Sequence, residues 1–215
     1  MNELQKIYVP DTMRMHTVAG KMHSGKDTAA GMVCDVYRLQ GLTAEFRSTS
    51  SYLKSFAETD EGRWNLGHIA HPELLYEADG KTLSRYGLRE LGYLLQNEFG
   101  GDVLVRRLVG SAVEDHRNGL LDVFTLNGIR RIAEAETIIR SGLGLWWVEA
   151  SLDVRSGYSI RDGEVKTVEE FRKKNIPEDF ETDIIKSMRT KTITNEGSLD
   201  EMHIQIVGLI NEGEK

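Results

Sequence analysis

The sequence predicts an α/β fold: one sheet of about five parallel strands, with helices on both faces. Two observations carry this. Short apolar runs alternate with longer segments of helical periodicity, in βα order and without an internal repeat. At the first such junction stands "GKMHSGKDTAA" (20–30), a glycine-rich loop of the pattern G-x-x-x-x-G-K. That pattern belongs between a buried strand and the helix that follows it.

The elements follow in order. Met13 to Ala19 reads as the first strand. From Asp27 the apolar residues Met32, Val33, Val36, Tyr37 and Leu39 keep helical spacing, with Gly41 as the stop. Leu42 to Ser48 is the next strand. The segment 49–80 is irregular, polar and aromatic, and reads as an insertion. Leu88, Leu91, Leu95 and Phe99 mark one face of a helix ended by Gly100-Gly101, and another helix covers Asp102 to Asp115. Asp122 to Leu126 is a buried strand that stops at Asn127-Gly128. "RIAEAETIIRSG" is helical and "LWWVEA" the next strand, where Trp146 and Trp147 are expected in the core. "TVEEF" has a capping-box pattern for an intervening helix. "KTITN" is a short strand, and Ser198 with Glu201 caps a last helix whose buried face is Leu199, Met202, Ile206 and Ile210. The total is about five strands and seven or eight helices.

Composition narrows the class. The chain of 215 residues is 40% hydrophobic and 28% charged, as expected of one sizeable globular domain. A formal charge of -7 gives no electrostatic reason to bind a nucleic-acid polymer or an anionic membrane. The lone Cys34 excludes an intrachain disulfide and a multi-cysteine zinc site. No apolar run approaches the roughly 20 residues that cross a bilayer, and the N-terminus has no apolar signal segment, so a cytoplasmic protein is expected. Residues 1–12 read as an N-terminal extension and 13–215 as a single domain.

The loop carries the chemistry. Gly20 and Gly25 let the backbone curl so that successive N–H groups point at a phosphate, at the positive end of the following helix. Lys26 then reaches the β- and γ-phosphates. Asp27 stands where a magnesium-binding hydroxyl is usual, and Thr28 offers that hydroxyl about 100° further round the helix.

The run "SGKDT" in this setting resembles the phosphate loop of bacteriophage deoxynucleoside monophosphate kinases and related P-loop kinases, where Asp-Thr after the lysine is a known variant. "GLRELGYLLQNEFGGDVLVRRL", "LNGIRRIAEAETI", "VEASLDVRSGYSIRDG", "TVEEF" and "TNEGSLDEMHIQI" resemble further segments of that group, in order, across residues 13–212. Similar late segments occur in archaeal kinases related to adenylate kinase and in dephospho-coenzyme A kinases. The resemblance implies a P-loop NTPase three-layer sandwich with a helical acceptor-binding insertion at 49–100 and a short lid at 152–183. It implies ATP and Mg2+, and phosphorylation of a nucleoside or deoxynucleoside monophosphate to the diphosphate. The expected partners are nucleotide substrates, with the protein a monomer or homodimer.

Residue by residue, the resemblance assigns Gly20, His23, Ser24, Gly25, Lys26, Asp27 and Thr28 to the donor nucleotide. Asn195 and Gly197 match the turn that approaches the donor base, although a plain strand-to-helix turn reads equally well. Arg89 and Arg130 match the arginines that hold the acceptor phosphate; their planar fork binds phosphate bidentately and stays charged. Arg155 and Arg161 match lid arginines, so Lys26, Arg130, Arg155 and Arg161 form the expected catalytic set. Asp27, Thr28 and Asn127 are the candidate metal ligands. Arg85, Arg106, Arg107 and Arg131 read as surface arginines, and His68 and His71 as surface residues of the insertion, whose Tyr52, Phe56, Trp64 and Tyr76 are candidates to stack on a base.

Two positions depart from that pattern. Asn127 replaces an aspartate, and an amide adds no charge and cannot act as a base; Asp27 is then the carboxylate that compensates. Tyr158 stands where relatives place another arginine. Two alternatives therefore stay open: an enzyme like dephospho-coenzyme A kinase, and a nucleotide-binding regulatory or interaction module with impaired transfer.

Overall fold

In the computed structural model, the described residues are 6–69, 71–77, 82–175 and 179–213. Five strands form one parallel sheet in the order β2-β3-β1-β4-β5. They are β1 (Arg14–Gly20), β2 (Ala44–Ser48), β3 (Val123–Ile129), β4 (Leu145–Glu149) and β5 (Lys191–Thr194). Successive side chains on a strand point to opposite faces, and the sequence uses this directly. Val18 and Trp146 face helices α1 (Lys26–Leu39) and α10 (Leu199–Gly213). Ala19 and Trp147 face α5 (Val103–Arg117) and α6 (Ile132–Arg140), with Ile185 of α9 (Asp179–Ser187) beside them. The result is a three-layer α/β sandwich. Both tryptophans are core residues, 5% and 1% exposed.

Within the insertion, the described part of 49–80, expected to be irregular, holds helices. The insertion comprises α2 (Thr49–Ala57), α3 (Asp60–Leu66), a 3-10 turn at Pro72–Leu74 and α4 (Arg85–Phe99). Each helix has a side-chain cap, and α2 and α3 announce themselves by it more than by periodicity. The side chains of Ser48, Thr59 and Ser84 accept from the backbone N–H groups of Ser51, Gly62 and Gly87. Helices of seven or nine residues are too short to show a clear 3.6-residue repeat, which is why the segment looks structureless in the sequence. Its apolar residues, Leu53, Phe56, Leu66, Leu91 and Leu95 among them, form a separate small core with Val103 and Leu104. Two further helices, α7 (Leu152–Arg161) and α8 (Val168–Asn175), cover the expected lid with the start of α9; its residues 176–178 lie outside the described set.

Other expectations shift at element ends. Ten α-helices are found among the described residues, more than the seven or eight expected, because short capped helices escape pattern reading. Leu199, placed on the buried face of the last helix, is 56% exposed, while Met202, Ile206 and Ile210 are buried; it sits at the helix start, before α10 meets α1. Leu39 and Phe99 likewise end their helices in solvent. Of the extension, residues 1–5 lie outside the described set; Ile7 and Val9 pack on the core, with the Ile7 N–H donating to Ser141 Oγ at 2.8 Å. No described helix is long and apolar enough to cross a membrane.

β3 runs three residues past its expected end. Val18 pairs with Asn127 and Ala19 with Ile129, so Gly128 is an extra residue, a β-bulge. Its φ of 82° favours glycine, and a Cβ there would lie 2.9 Å from Thr49 Oγ1, the group that donates to the Gly128 carbonyl. The Asn-Gly pair that reads as a turn is a bulge because the strand continues on both sides of it.

His16 on β1 bonds Tyr37 Oη through Nε2 at 2.9 Å and packs against Trp146. Burial, followed by the positive charges of Lys191 and Arg14, lowers its pKa to about 4. The unfolded chain takes up this proton below about pH 6.5, the folded chain only near 4, so stability is lost as pH falls through that window. His16→Gln should flatten the fall of unfolding free energy between about pH 6.5 and 4, measured by denaturant titration.

Candidate active site

The loops after β1, β3, β4 and β5 all leave the carboxyl edge of the sheet. β1 has β3 on one side and β4 on the other, and such a central strand is where a parallel sheet opens a crevice for ligands. The loop after β1 is residues 21–25. Its two left-handed residues, His23 (φ 59°) and Gly25 (φ 88°), turn the backbone back over the end of β1. α1 begins at Lys26, and its first intrahelical bond at this end is Ala29 N–H to Gly25 O, so the preceding amides point out of the helix toward the loop.

Gly20 is required by contact, and Gly25 by contact as well as by φ. A Cβ on Gly20 would lie 2.4 Å from Ser24 Oγ and 2.8 Å from the Val148 carbonyl. On Gly25 it would lie 2.5 Å from Asn195 Nδ2. Asn195 is 3% exposed; its Nδ2 donates to the Ser24 carbonyl at 2.9 Å and its own N–H to the Glu149 carbonyl. The side chain expected near a donor base therefore clamps the phosphate loop. At Gly197 a Cβ would run into the Glu201 carboxylate, which accepts from the Ser198 N–H at 2.7 Å and closes the expected capping box. Gly197 also lines an open surface depression with Thr194, Ile204 and Gln205.

Asp27 and Asn127 meet. Asn127 Nδ2 donates to Asp27 Oδ1 at 2.7 Å, across 100 residues of sequence. The bulge at Gly128 sets Asn127 at this edge, fully buried. This bond fixes the amide orientation, and it leaves Asn127 Oδ1 buried with no hydrogen-bond partner. Thr28 is exposed on the next position of α1. Among the described residues no three His, Cys, Asp or Glu side chains group to hold a metal by themselves.

Only four buried side-chain atoms among the described residues lack a hydrogen-bond partner: Ser24 Oγ, Asn127 Oδ1, Arg155 Nε and Arg106 Nε. Buried polar atoms are nearly always paired, and three of these four orphans belong to Ser24, Asn127 and Arg155, residues expected at the site.

The arginines divide. Arg155 is 8% exposed, with its guanidinium 5.7 Å from the Phe171 ring, and that ring lies 5.9 Å from His23 in the loop. Arg161 points into solvent, beside Asp162 and over Tyr158. Arg89 on α4 pairs with Glu90 at 3.2 Å and lies over Tyr86. Arg130 is exposed at the end of β3. Arg106 and Arg107 are structural: the first bonds Asp102 and the Phe99 carbonyl, the second Tyr52 Oη, over the Phe56 and Phe99 rings. Phe56 is thereby buried, whereas Trp64 (with its ring tilted against His68) and Tyr76 are exposed. Arg131 pairs with Glu181 at 2.6 Å over Tyr93.

Arg85, expected to be an ordinary surface arginine, stands at the loop. One nitrogen donates to Glu164 Oε2 at 2.7 Å and another lies 2.6 Å from Met22 Sδ. The same carboxylate oxygen bonds His23 Nε2 at 3.0 Å. Nothing in the sequence pairs residues 23, 85 and 164; the only available signal is Arg85's place one turn before Arg89 on the same helix.

Glu134 is the second residue missed. It is 1% exposed and accepts the backbone N–H groups of Arg130 and Arg131 at 2.9 and 3.2 Å, so it shapes the turn that presents Arg130. Burial raises its pKa to about 7 against the pull of those two donors. The folded state then holds this proton more tightly than the unfolded state, whose carboxyl titrates near 4.5. The resulting stability is present below about pH 4.5 and lost as pH rises to 7, opposite in sign to the effect of His16. Glu134→Gln should remove that loss, read as the difference in unfolding free energy between wild type and variant across this window.

Gly25→Ala forces an alanine into the left-handed region against Asn195, a strain of roughly 1–3 kcal/mol. A matching drop in unfolding free energy is expected; an unchanged midpoint would count against the loop geometry.

No family model and no curated protein sequence matches the chain. Solved structures do match it in fold. TT1252 from Thermus thermophilus superposes with a TM-score of 0.59 at 19% identity, over 94% of this chain and 98% of that one. A shikimate kinase from Acinetobacter baumannii, in complex with shikimate, gives 0.55 at 15% identity over 94% and 96%. A shikimate kinase from Bacteroides thetaiotaomicron gives 0.52 at 12% identity over 93% and 99%. The chain thus has the α/β fold of P-loop kinases across almost its whole length.

Proposed function

We propose that this protein transfers the γ-phosphoryl group of ATP to a nucleoside or deoxynucleoside monophosphate. The observation that carries the reading is the set of unpaired buried atoms, Ser24 Oγ, Asn127 Oδ1 and Arg155 Nε, on residues of a left-handed glycine loop and its surroundings. The loop amides and Lys26 would bind the donor phosphates, as a helix N-terminus favours anions. Arg89 and Arg130 would orient the acceptor phosphate, Arg155 and Arg161 would stabilise charge during transfer, and the turn of Asn195 and Gly197 would border the donor. No side-chain nucleophile is required, because an oxygen of the acceptor phosphate attacks the γ-phosphorus as the bond to ADP breaks.

Magnesium fits the residues present. Asp27 supplies a carboxylate and Asn127 an unpartnered carbonyl oxygen, with Thr28 nearby on α1; Mg2+ is usually held by one or two such groups together with substrate phosphates. When bound it neutralises phosphate charge. Asp27 then supplies the negative charge that Asn127 lacks. A cytoplasmic monomer or homodimer goes with this reading.

Lys26→Ala should weaken ATP binding at least tenfold by calorimetry, the scale of one lost charge-assisted contact. Asp27→Ala should lower magnesium-dependent activity and raise the magnesium concentration it needs, and untouched magnesium-dependent activity would end its assignment as the compensating carboxylate. A coupled assay with ATP and magnesium over nucleoside monophosphates, dephospho-coenzyme A and shikimate identifies the acceptor. ATP binding without turnover of any of them would favour a regulatory module.

A further inference from the structure

Glu164 lies in the turn between α7 and α8, and its Oε2 is shared by donors from three elements. His23 of the loop binds it at 3.0 Å, Arg85 at the start of α4 at 2.7 Å, and Ser159 Oγ of α7 at 3.3 Å. An imidazole, a guanidinium and a hydroxyl converging on one anionic oxygen form a set suited to a phosphoryl oxygen. The set is placed on the phosphate loop itself: His23 is one of its two left-handed residues, and Arg85 also touches Met22, the residue before it. A phosphoryl group on this loop and the Glu164 carboxylate would carry like charge at the same donors, so the two compete.

We propose that Glu164 is an internal anion holding the place of a phosphoryl oxygen, and that Arg85 and His23 are phosphate ligands released when it leaves. This rests on the reading of residues 20–26 as a phosphate loop and adds to it one further ligand, Arg85, a side-chain contact for His23, and a gate. The exchange is easy because the ion pair reaches solvent and exposed pairs are weak. It also has a physical use. In the absence of nucleotide the carboxylate neutralises Arg85 and ties the α7–α8 turn to the loop; a phosphate that takes over these donors frees that turn. Glu164 is thus a gating residue, and Arg85 a binding residue that no sequence pattern assigns.

The test is calorimetric titration of the full chain with pyrophosphate and with ATP, comparing wild type, Glu164→Gln, Glu164→Ala, Arg85→Ala and the double variant Arg85→Ala/Glu164→Ala. Thermal unfolding without ligand checks that each is folded. Glu164→Gln should tighten pyrophosphate binding roughly fivefold, the equivalent of losing one exposed ion pair as competitor. Arg85→Ala should weaken it roughly tenfold. In the Arg85→Ala background, Glu164→Ala should gain much less than in wild type, because the two residues share one interaction. If both Glu164 variants leave affinity unchanged or weaken it, Glu164 only anchors the turn and the proposal fails. An equal gain with and without Arg85 would remove Arg85 from the site. If wild type binds neither pyrophosphate nor ATP, the phosphate-loop reading falls and takes this one with it; if it binds both and neither Glu164 variant binds more tightly, this proposal falls and the phosphate-loop reading stands.

Discussion

Everything at the carboxyl edge of the sheet depends on one backbone constraint, the left-handed turn at Gly25. It lets the chain reverse from the end of β1 into α1 within five residues. The same turn brings the Ser24 carbonyl against Asn195 Nδ2, so that the loop after β1 is held by a residue that follows β5. A side chain at Gly25 would occupy the place of that amide. The clamp, the glycine and the outward-pointing helix amides are one geometric solution, and loss of any of them disturbs the other two.

Charge around the loop is arranged by pairing. The chain is acidic overall, and a phosphate site in such a field needs its cations concentrated and its carboxylates occupied. Asp27 is held by the neutral amide of Asn127, a partner that adds no charge of its own. Glu164 and Glu134 do opposite things with buried or bridging carboxylates. Glu164 engages His23 and Arg85 with its charge. Glu134 accepts backbone N–H groups in a place so dry that burial works against its charge.

The fold was largely legible because its signals are local. The buried run "LWWVEA" put Trp146 and Trp147 in the core, and the capping box of Ser198 and Glu201 marked α10. What was lost was equally local in cause. Short helices such as α2 and α3 carry caps without enough turns for periodicity, and Asn127-Gly128 is spelled the same way whether it ends a strand or bulges within it. The loop itself could be read because its glycines and Lys26 are contiguous.

By itself the sequence determined the parallel α/β class, the β1–loop–α1 unit and the residues able to form a phosphate cradle, because periodicity and loop spacing are properties of neighbouring residues. Only the tertiary structure decided which distant side chains complete it. Asp27 met Asn127, Asn195 turned to the loop rather than outward, and Arg85 came to His23 through Glu164. The physical reason is that the bonded residues are separated by 79 to 171 positions and are brought together by strand order and helix packing. No pattern in a single sequence encodes that arrangement pair by pair.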